Sequence, residues 1–227
     1  MTLLAPEELR QAFIDLLEVH YHHRHPFHQK MHRGELSQEA LREWVRNRFY
    51  YQLAIPVKDA YLLAKLPWTY RRLWVQRILY HDGTVSGEGG LELWLALGEV
   101  VGLTREELLE KRGVLPAVRF AVDAYVNFVR DRSWLEGVAS SLTELYSPKL
   151  MNERLGAFLQ HYPWVPREAL AYFERRVNRA PVEAEEALSI VLAHAVTPEA
   201  QEQALAALRF KCEVLWAILD AVEQAYG

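Results

Sequence analysis

The chain has 227 residues, of which 51% are hydrophobic and 25% charged, and its formal net charge is −4. This composition is typical of a globular protein with enough apolar residues for a sizeable core. The acidic balance argues against a nucleic-acid-binding protein, which usually carries a strongly basic face. No apolar run approaches the ~20 residues that cross a bilayer, and the first residues lack the pattern of a secretory signal. The single cysteine, Cys212, allows no internal disulfide, so we expect a cytoplasmic protein.

Helical periodicity dominates the chain from its first residues. Leu9, Phe13 and Leu17 keep three- and four-residue spacing behind Pro6, a residue that suits a first helical turn. Ser37 is a typical N-cap for the next helix. The segment RFYYQLAIPVKDAYLLAKL predicts another helix, which we expect to kink or break at its internal proline, Pro56. The same periodicity predicts three further helices, over residues 69–82, 90–102 and 116–131.

The second half of the chain has the same character. Thr104 with Glu107 forms a capping box for a short helix. The last helix, about 198–226, is apolar on two adjacent stripes, as a central helix would be. Prolines stand where four first turns would begin, at Pro116, Pro148, Pro166 and Pro198. Since no stretch alternates apolar and polar residues over strand length, the sequence predicts one all-α domain over 1–227.

The one glycine-rich stretch is HDGTVSGEGG, which ends at residue 90. It lacks the G-x-x-x-x-G-K-[ST] spacing of a phosphate loop, and no strand precedes it. Two interpretations stay open for residues 83–90. The segment is either a plain connector between two helices or a lid beside a pocket.

Histidines are concentrated in HYHHRHPFHQKMH, which contributes His20, His22, His23, His25, His28 and His32. This stretch contains no carboxylate, and its charged neighbours Arg24 and Lys30 would repel a metal ion. No H-E-x-x-H motif occurs, and one cysteine excludes a thiolate cluster. We therefore favour no metal. A distributed di-metal site stays open as an alternative, in which these imidazoles would converge with Glu88, Glu92, Glu144 and His194.

Cations on or beside apolar helical faces are more informative. Arg77 and His81 are four residues apart and share a face, and Tyr172 and Arg176 repeat that spacing. Lys211 lies on an apolar stripe of the last helix, where a cation is costly without an anionic partner. Any one of these cations could equally lie on a solvated face. As a set they indicate a site for a ligand with several carboxylates, formed by Arg48, Lys58, Arg77, Arg176 and Lys211.

Candidates for proton transfer lie among the same residues. His81 has an ordinary pKa near ~6.5, and we expect Arg77 to lower that pKa and keep a neutral base available. Glu144 lies in SSLTELY among small residues that leave room for a ligand. Tyr125 and Tyr172 could exchange a proton with a developing oxyanion. The absence of G-x-S-x-G argues against serine hydrolysis.

Several long motifs resemble those of the pyrroloquinoline-quinone (PQQ) synthase family, in the same order along the chain. They are HPFHQKMHRGE, NRFYYQLAIPVKDA, WVQRILYHDG, GVLPAVRFAVDAYVNF, SSLTELYSP, QHYPWV and LRFKCEVLWAILDA. The resemblance runs from about residue 13 to 226. It implies a compact haem-oxygenase-like (TenA-like) helical bundle, a homodimer without metal or organic cofactor. It also implies ring closure and an eight-electron oxidation of a tricarboxylated quinone precursor by molecular oxygen, with release of hydrogen peroxide.

The resemblance also implies a set of site residues. His81, Tyr172, Arg176, His22 and Glu144 would be catalytic, with His81 the principal proton-transfer residue. Tyr172 and Arg176 would belong to the pocket that holds oxygen or peroxide. His25, His28 and His32 match the family's histidine pattern as structural residues. The substrate-binding residues would be Arg48, Tyr51, Gln52, Lys58, Arg77, Tyr125, Thr143, Arg154 and Lys211.

One position departs from the family. Met151 stands three residues before Arg154, where the resemblance implies a histidine in the oxygen pocket. A thioether neither shuttles a proton nor binds peroxide as strongly as an imidazole. Three explanations are open: His161 or a water substitutes, the late oxidation steps are slower, or the substrate differs.

Other functions on the same fold stay open as well. A di-metal oxygenase would need bound iron or manganese, and a thiamin-salvage hydrolase would need a nucleophilic cysteine, a role for which Cys212 is poorly placed beside Lys211 on an apolar helix. A protein that only carries a quinone or its precursor is the third alternative.

Overall fold

Helices form the regular structure of residues 2–227, the range that a computed structural model of the protein describes, and this range contains no strand. The α-helices are α1 Pro6–His20, α2 Pro26–His32, α3 Gln38–Lys65, α4 Trp68–Asp82, α5 Gly90–Val100, α6 Arg105–Leu109, α7 Pro116–Asp131, α8 Trp134–Ala139, α9 Ser147–His161, α10 Ala171–His194 and α11 Pro198–Tyr226. Three short 3-10 helices span His22–Arg24, Ser140–Leu145 and Arg167–Leu170. The predicted all-α class is confirmed.

Local signals explain where many helices begin. The Ser37 side chain accepts the Ala40 N–H and caps α3. Thr104 and Glu107 form the predicted capping box of α6. Proline occupies the first turn of α1, α2, α7, α9 and α11, where its missing N–H has no helical partner to lose. Pro166 instead precedes the 3-10 helix Arg167–Leu170.

The prediction of a break at Pro56 is wrong, because α3 runs without interruption for 28 residues. Pro56 removes one backbone hydrogen bond to the carbonyl of Gln52. Both residues are buried, and α3 packs along its length against α4, α5, α7 and α11. Tertiary packing therefore holds a helix that local sequence alone would interrupt.

Helix α11 lies at the centre of the bundle. It packs against α1, α3, α7 and α8 and the 3-10 helix Ser140–Leu145. Both of its apolar stripes are buried, one through Leu208 and Leu215 and the other through Ala207 and Ile218, as predicted. Lys211, on the second stripe, is only 1% exposed. The buried side chains form one continuous core around this helix.

No helix among residues 2–227 has the length and apolar character needed to cross a bilayer. The fold instead encloses polar side chains. α3, α4, α9 and α10 each direct charged or polar groups inward, and these groups line one narrow cavity.

Candidate active site

The cavity lies where α3, α9, α10 and the Ser140–Leu145 helix meet. α3 directs Arg48, Tyr51, Gln52 and Ile55 to it, at the three- and four-residue spacing of one helical face. The space open to a water-sized sphere is about 30 Å³, so a larger ligand requires side chains to move. The walls are formed by Tyr21, Arg48, Tyr51, Gln52, Ile55, His81, Trp94, Thr143, Glu144, Ser147, Met151, Arg154, Tyr172, Arg176 and Leu215.

The structure brings most of the predicted site residues to this cavity. Those that line it are Arg48, Tyr51, Gln52, His81, Thr143, Glu144, Arg154, Tyr172 and Arg176. The other predicted residues are buried but do not belong to the lining, and these are His22, Lys58, Arg77, Tyr125 and Lys211. His22 contacts Tyr21 and Lys211 contacts Tyr51, both in the lining, while Lys58 and Arg77 lie beside carboxylates. Tyr125 lies against Lys211. These five residues form a second layer around the cavity.

Lys211 illustrates this second layer. Its Nζ donates a hydrogen bond of 2.5 Å to the Tyr51 hydroxyl and lies 3.5 Å from the centroid of the Tyr125 ring. Burial, together with the nearby charges of Lys58 and Arg48, lowers the pKa of Lys211 well below its ordinary value. Lys211 therefore reaches the cavity through Tyr51, and an anion bound in the cavity would favour its protonated form.

Three buried cations have carboxylate partners. Lys58 Nζ lies 2.6 Å from Asp59 Oδ1. Arg176 donates one hydrogen bond of 2.7 Å to Glu183 and another to Glu144. Arg77 lies 3.8 Å from Glu183. We refer to these groups as the paired cluster, which consists of Lys58, Arg77, Arg176, Asp59, Glu144 and Glu183.

Glu183 organises the paired cluster. It is 2% exposed, and its two oxygens contact the guanidinium groups of Arg77, Arg176 and Arg179. Burial alone would raise the pKa of this carboxyl, but Arg77 and Arg176 outweigh burial and lower the pKa to about 2. Although burial opposes it, Glu144 and Glu183 in turn raise the pKa of Arg176. The carboxylate thus fixes Arg176 at the cavity wall.

The other cations have no carboxylate partner among residues 2–227, and we refer to Arg48, Arg154 and Lys211 as the unpaired cluster. Arg154 is 1% exposed, with one Nη atom 3.1 Å from His28 Nε2, the other 3.9 Å from Met151 Sδ, and no partner on Nε. Burial, then Arg48, lowers the pKa of Arg154 to about 9. A buried guanidinium without an anion is unfavourable. The unpaired cluster is therefore suited to receive an anionic ligand.

His81 has the environment of a neutral base. It is 6% exposed, and its Nδ1 has no hydrogen-bond partner. Burial, then Arg176, lowers the pKa of the imidazole to about 3, and Arg77 contributes less. The direction is as predicted, but burial and Arg176 weigh more than Arg77. At neutral pH the ring is therefore uncharged, with an unpaired Nδ1 at the cavity. The Tyr172 hydroxyl, also at the cavity wall, donates to Gln52 Oε1 at 3.1 Å.

The glycine-rich stretch approaches the cavity at its last residue. Gly90 begins α5, and a Cβ at that position would lie 3.3 Å from His81 Nδ1 and 3.2 Å from Tyr172 Cε2. Gly83 and Gly89 have φ values of 80° and 96°, which favour glycine. The last residue of the stretch therefore lies directly against the two side chains, and the connector and lid interpretations both stay predictions.

Two of the clustered histidines lie close to the unpaired cluster. Both ring nitrogens of His22 lack partners, and burial, then Arg48 and Arg154, lowers its pKa well below the ordinary value. The His28 Nδ1 lies 3.0 Å from the His22 carbonyl oxygen, so Nδ1 donates and Nε2 is free to accept from Arg154. His28 therefore supports Arg154 from behind, and His22 fills the space beside it.

The other histidines have structural contacts. His25 Nδ1 accepts the Phe27 N–H and caps α2, while its Nε2 lies 3.0 Å from Asp220. His32 lies 3.9 Å from Glu153, on the outer side of α9. These contacts agree with the structural roles expected for this part of the cluster.

No group of three or more metal-ligating side chains is gathered within residues 2–227. Glu92 is 2.8 Å from Arg105, and His194 Nε2 is 2.8 Å from the Tyr70 hydroxyl. The structure therefore does not assemble the distributed di-metal set of Glu88, Glu92, Glu144 and His194. The Cys212 thiol is buried, and burial raises its pKa to about 12, which does not suit a nucleophilic thiolate.

Met151 lines the cavity, at the position where the resemblance implies a histidine. His161 does not substitute for that histidine. It ends α9 and packs so closely on Gly34 that a Cβ on the glycine would lie 2.6 Å from His161 Cβ. Of the three open explanations, the one in which His161 takes this place is excluded, because His161 lies ten positions further along the helix than Met151.

Sequence reasoning missed the carboxylates of the paired cluster that lie outside the cavity, Asp59 and Glu183. Glu183 follows Arg179 by four residues and Arg176 by seven, a spacing that brings the three to one helical face and could have revealed it. Asp59 adjoins Lys58 in sequence, and its contact with Trp74 Nε1 at 2.8 Å is visible only in three dimensions.

Comparisons with known proteins agree with this architecture. The model of the TENA/THI-4/PQQC family matches residues 12–221. The chain belongs to this family. It is 52% identical over 225 residues to the pyrroloquinoline-quinone synthase of Acidiphilium cryptum, across 99% of this chain and 92% of that protein. It is 50% identical over 227 residues to the synthase of Gluconobacter oxydans, across 100% and 95% of the two chains.

A solved structure supports the fold independently. A domain of unknown function with a heme oxygenase-like fold from Shewanella denitrificans superposes with a TM-score of 0.74 at 16% identity, across 97% of this chain and 90% of that one. The predicted haem-oxygenase-like class and the predicted family are both confirmed.

Proposed function

We propose that this protein is an oxidase of PQQ biosynthesis that closes a ring in a tricarboxylated quinone precursor. It then oxidises the product by eight electrons with molecular oxygen and releases hydrogen peroxide. Relatives that are 52% and 50% identical over nearly their whole length are named pyrroloquinoline-quinone synthase, which supports a role of this protein in PQQ biosynthesis. In this proposal the protein has a single catalytic domain, forms a homodimer, and uses neither a metal nor an organic cofactor.

The unpaired cluster is the observation that carries the proposal. A precursor with three carboxylates would supply the anionic partners that the protein does not provide for Arg48, Arg154 and Lys211. Arginine donates two parallel hydrogen bonds to a carboxylate, so Arg48 and Arg154 suit direct contact. Lys211 acts through the Tyr51 hydroxyl. The aromatic walls, Tyr21 and Trp94 among them, match the flat ring system of a quinone.

The proton-transfer roles follow from the paired side of the cavity. His81 is neutral and has a free Nδ1, so it would accept a proton from the substrate ring. Arg176 is already neutralised by Glu144 and Glu183, so its remaining donors would stabilise negative charge that develops on oxygen. Tyr172, held by Gln52, would orient a bound oxygen species beside them.

The decisive experiment is a spectroscopic assay. Protein treated with a chelator is mixed with the tricarboxylated precursor under oxygen, and quinone absorbance and peroxide are recorded together. We expect the spectrum of pyrroloquinoline quinone to appear with peroxide. Precursor that binds without any spectral conversion would instead indicate a carrier. Activity that returns only on addition of iron or manganese would indicate a di-metal oxygenase.

Two controls sharpen the assay. Protein without chelator treatment reports any loss caused by the chelator itself. A run without oxygen separates the early ring closure, which needs no oxidant, from the later oxidation steps. Conversion that stops at an intermediate under oxygen would point to the Met151 side of the cavity, while failure to bind the precursor at all would contradict the proposed substrate.

A further inference from the structure

The thioether of Met151 is an unusual group in a cavity with this charge. Met151 lies on α9 three residues before Arg154, is 5% exposed and lines the cavity directly. Its Sδ lies 3.9 Å from one Arg154 Nη atom. Met31, by contrast, is fully buried in the apolar core and does not contribute to the cavity lining. The two methionines therefore differ in their access to any molecule that enters the cavity.

Arg154 lacks good acceptors around this sulfur. Its Nε has no partner, no carboxylate within residues 2–227 pairs with it, and the thioether is only a weak acceptor. A sulfoxide oxygen at the same place would be a far stronger acceptor for the guanidinium. Oxidation of Met151 would thus supply Arg154 with a hydrogen-bond partner from the protein itself.

We propose that Met151 is an oxidation site, at which peroxide in the cavity converts the thioether to a sulfoxide that Arg154 then holds. This inference rests on the proposed function, which makes hydrogen peroxide next to Met151. In the reaction one peroxide oxygen forms a bond to sulfur as the O–O bond breaks. Sulfur loses two electrons, and the other oxygen leaves as water with both protons.

The sulfoxide would change ligand binding. Its oxygen would occupy Arg154 donors that are otherwise free for a substrate carboxylate, and it would also enlarge a side chain in a narrow cavity. The oxidised protein would therefore bind the carboxylated precursor less tightly. Because methionine sulfoxide is reversible by sulfoxide reductases, the product peroxide would act as a reversible brake on its own formation.

The first test uses added hydrogen peroxide and the full-length protein without precursor, so it does not depend on the proposed reaction. Peptides are followed by mass spectrometry for a gain of about 16 Da, one oxygen atom. We expect the peptide with Met151 to be oxidised about tenfold faster than the peptide with Met31, because access to peroxide governs the rate. Equal rates, or faster oxidation of Met31, would overturn the proposal.

The second test follows the same peptides during turnover with precursor and oxygen, with catalase in solution to remove peroxide that escapes. Sulfoxide at Met151 that increases with the number of turnovers supports the proposal. If quinone and peroxide form and Met151 stays unmodified, the oxidation site is wrong while the function stands. If no quinone forms, the proposed function fails, and the first test still decides whether Met151 is the oxidised residue.

A pair of variants tests the consequence. Precursor affinity is measured before and after peroxide treatment for the unmodified protein and for Met151→Leu. We expect treatment to weaken precursor binding about tenfold in the unmodified protein, because one hydrogen-bonded contact to a carboxylate is lost. In Met151→Leu the affinities before and after treatment should be nearly equal. Met151→Gln, whose amide oxygen imitates the sulfoxide, should bind more weakly than Met151→Leu without any treatment. Equal losses in both treated proteins would contradict the proposal.

Discussion

The paired and unpaired clusters place similar cations around the same cavity but surround them differently. In the paired cluster every cation has a buried carboxylate within reach, and Glu183 alone contacts three guanidinium groups. In the unpaired cluster Arg154 has a histidine, a thioether and two aromatic rings around it, and no carboxylate. Arg48 lies over the Tyr51 ring. One side of the cavity is neutralised by the fold, while the other is left positive.

This difference separates two demands on the same cavity. A charge that must hold a fixed position during a reaction gains from an internal partner, which orients it before the ligand arrives. A charge that must bind an anion gains from having none, because the ligand then supplies the missing interaction. The free protein is correspondingly less stable at the unpaired cluster, and ligand binding should recover that loss.

The largest expected effect concerns His81, which faces the paired side. We expect His81→Gln to lower turnover by about 100- to 10,000-fold, because the neutral base is lost. Precursor affinity should change by no more than about twofold, since the unpaired cluster is intact. Stopped-flow turnover and equilibrium titration on the same preparation check this. An affinity loss as large as the turnover loss would remove the distinction between the two sides.

Removing the carboxylate at the centre of the paired cluster should destabilise the fold. We expect Glu183→Gln to lower the free energy of unfolding by about 3–5 kcal/mol, because buried arginines lose their partner. The matched control is Glu185→Gln, on the same helix, whose carboxylate is 61% exposed and pairs with Arg10. That change should cost no more than about 1 kcal/mol. Urea denaturation measures the free energy of unfolding of both variants. Equal losses would mean that Glu183 does not stabilise the buried arginines.

The unpaired cluster should respond in the opposite way. We expect Arg154→Met to weaken precursor binding by about 2–5 kcal/mol, because a buried charged contact is truncated. Unfolding stability should be equal or higher, because an uncompensated buried charge has been removed. Arg130→Met, at an exposed surface ion pair with Asp131, serves as the control and should leave binding unchanged. A clear loss of stability in Arg154→Met would show that the cation is structural.

Acid should destabilise the fold through the buried histidines around both clusters. Burial lowers the pKa of His81 to about 3 and of His32 to about 4, and it lowers those of His22 and His28 as well. The unfolded chain therefore takes up protons below its ordinary histidine pKa of ~6.5 that the folded chain does not. Stability is fully present above that pH and is lost as the pH falls toward the folded values.

The measurement is the melting temperature between pH 7 and pH 5. We expect it to fall by at least about 5 °C, since each kcal/mol of lost stability lowers it by a few degrees in a chain of this size. His81→Gln should flatten part of the slope. A melting temperature that stays constant over this range would mean that the buried histidines take up protons without cost.

Much of the fold could be predicted because its signals are local. N-caps, first-turn prolines and the two apolar stripes of α11 all depend on residues a few positions apart. The exception is Pro56, where a local signal for a break is overridden by packing of α3 against four other helices. Packing against helices that are distant in sequence cannot be predicted from the residues beside the proline.

The site could be predicted in part for a related reason. The pairs Arg77 with His81 and Tyr172 with Arg176 follow helical spacing, and the resemblance added further lining residues such as Thr143 and Arg154. Neither predicted the lining residues Tyr21, Ile55, Trp94, Ser147 and Leu215. What the sequence could not reveal is which cations are neutralised. In the sequence Arg154 and Arg176 are both arginines on predicted helices. Only the structure shows that Glu144 and Glu183 neutralise Arg176.

The measurement that tests the account most directly is a thermal-shift comparison of two ligands, the tricarboxylated precursor and its trimethyl ester, on the unmodified protein and on Arg154→Met. The ester keeps the aromatic rings and removes the negative charges. If the unpaired cluster is a built anion site, the precursor raises the melting temperature of the unmodified protein, and the ester does not. In Arg154→Met the effect of the precursor should shrink toward that of the ester. Equal shifts from both ligands in both proteins would contradict the central claim that missing counter-charges define this cavity.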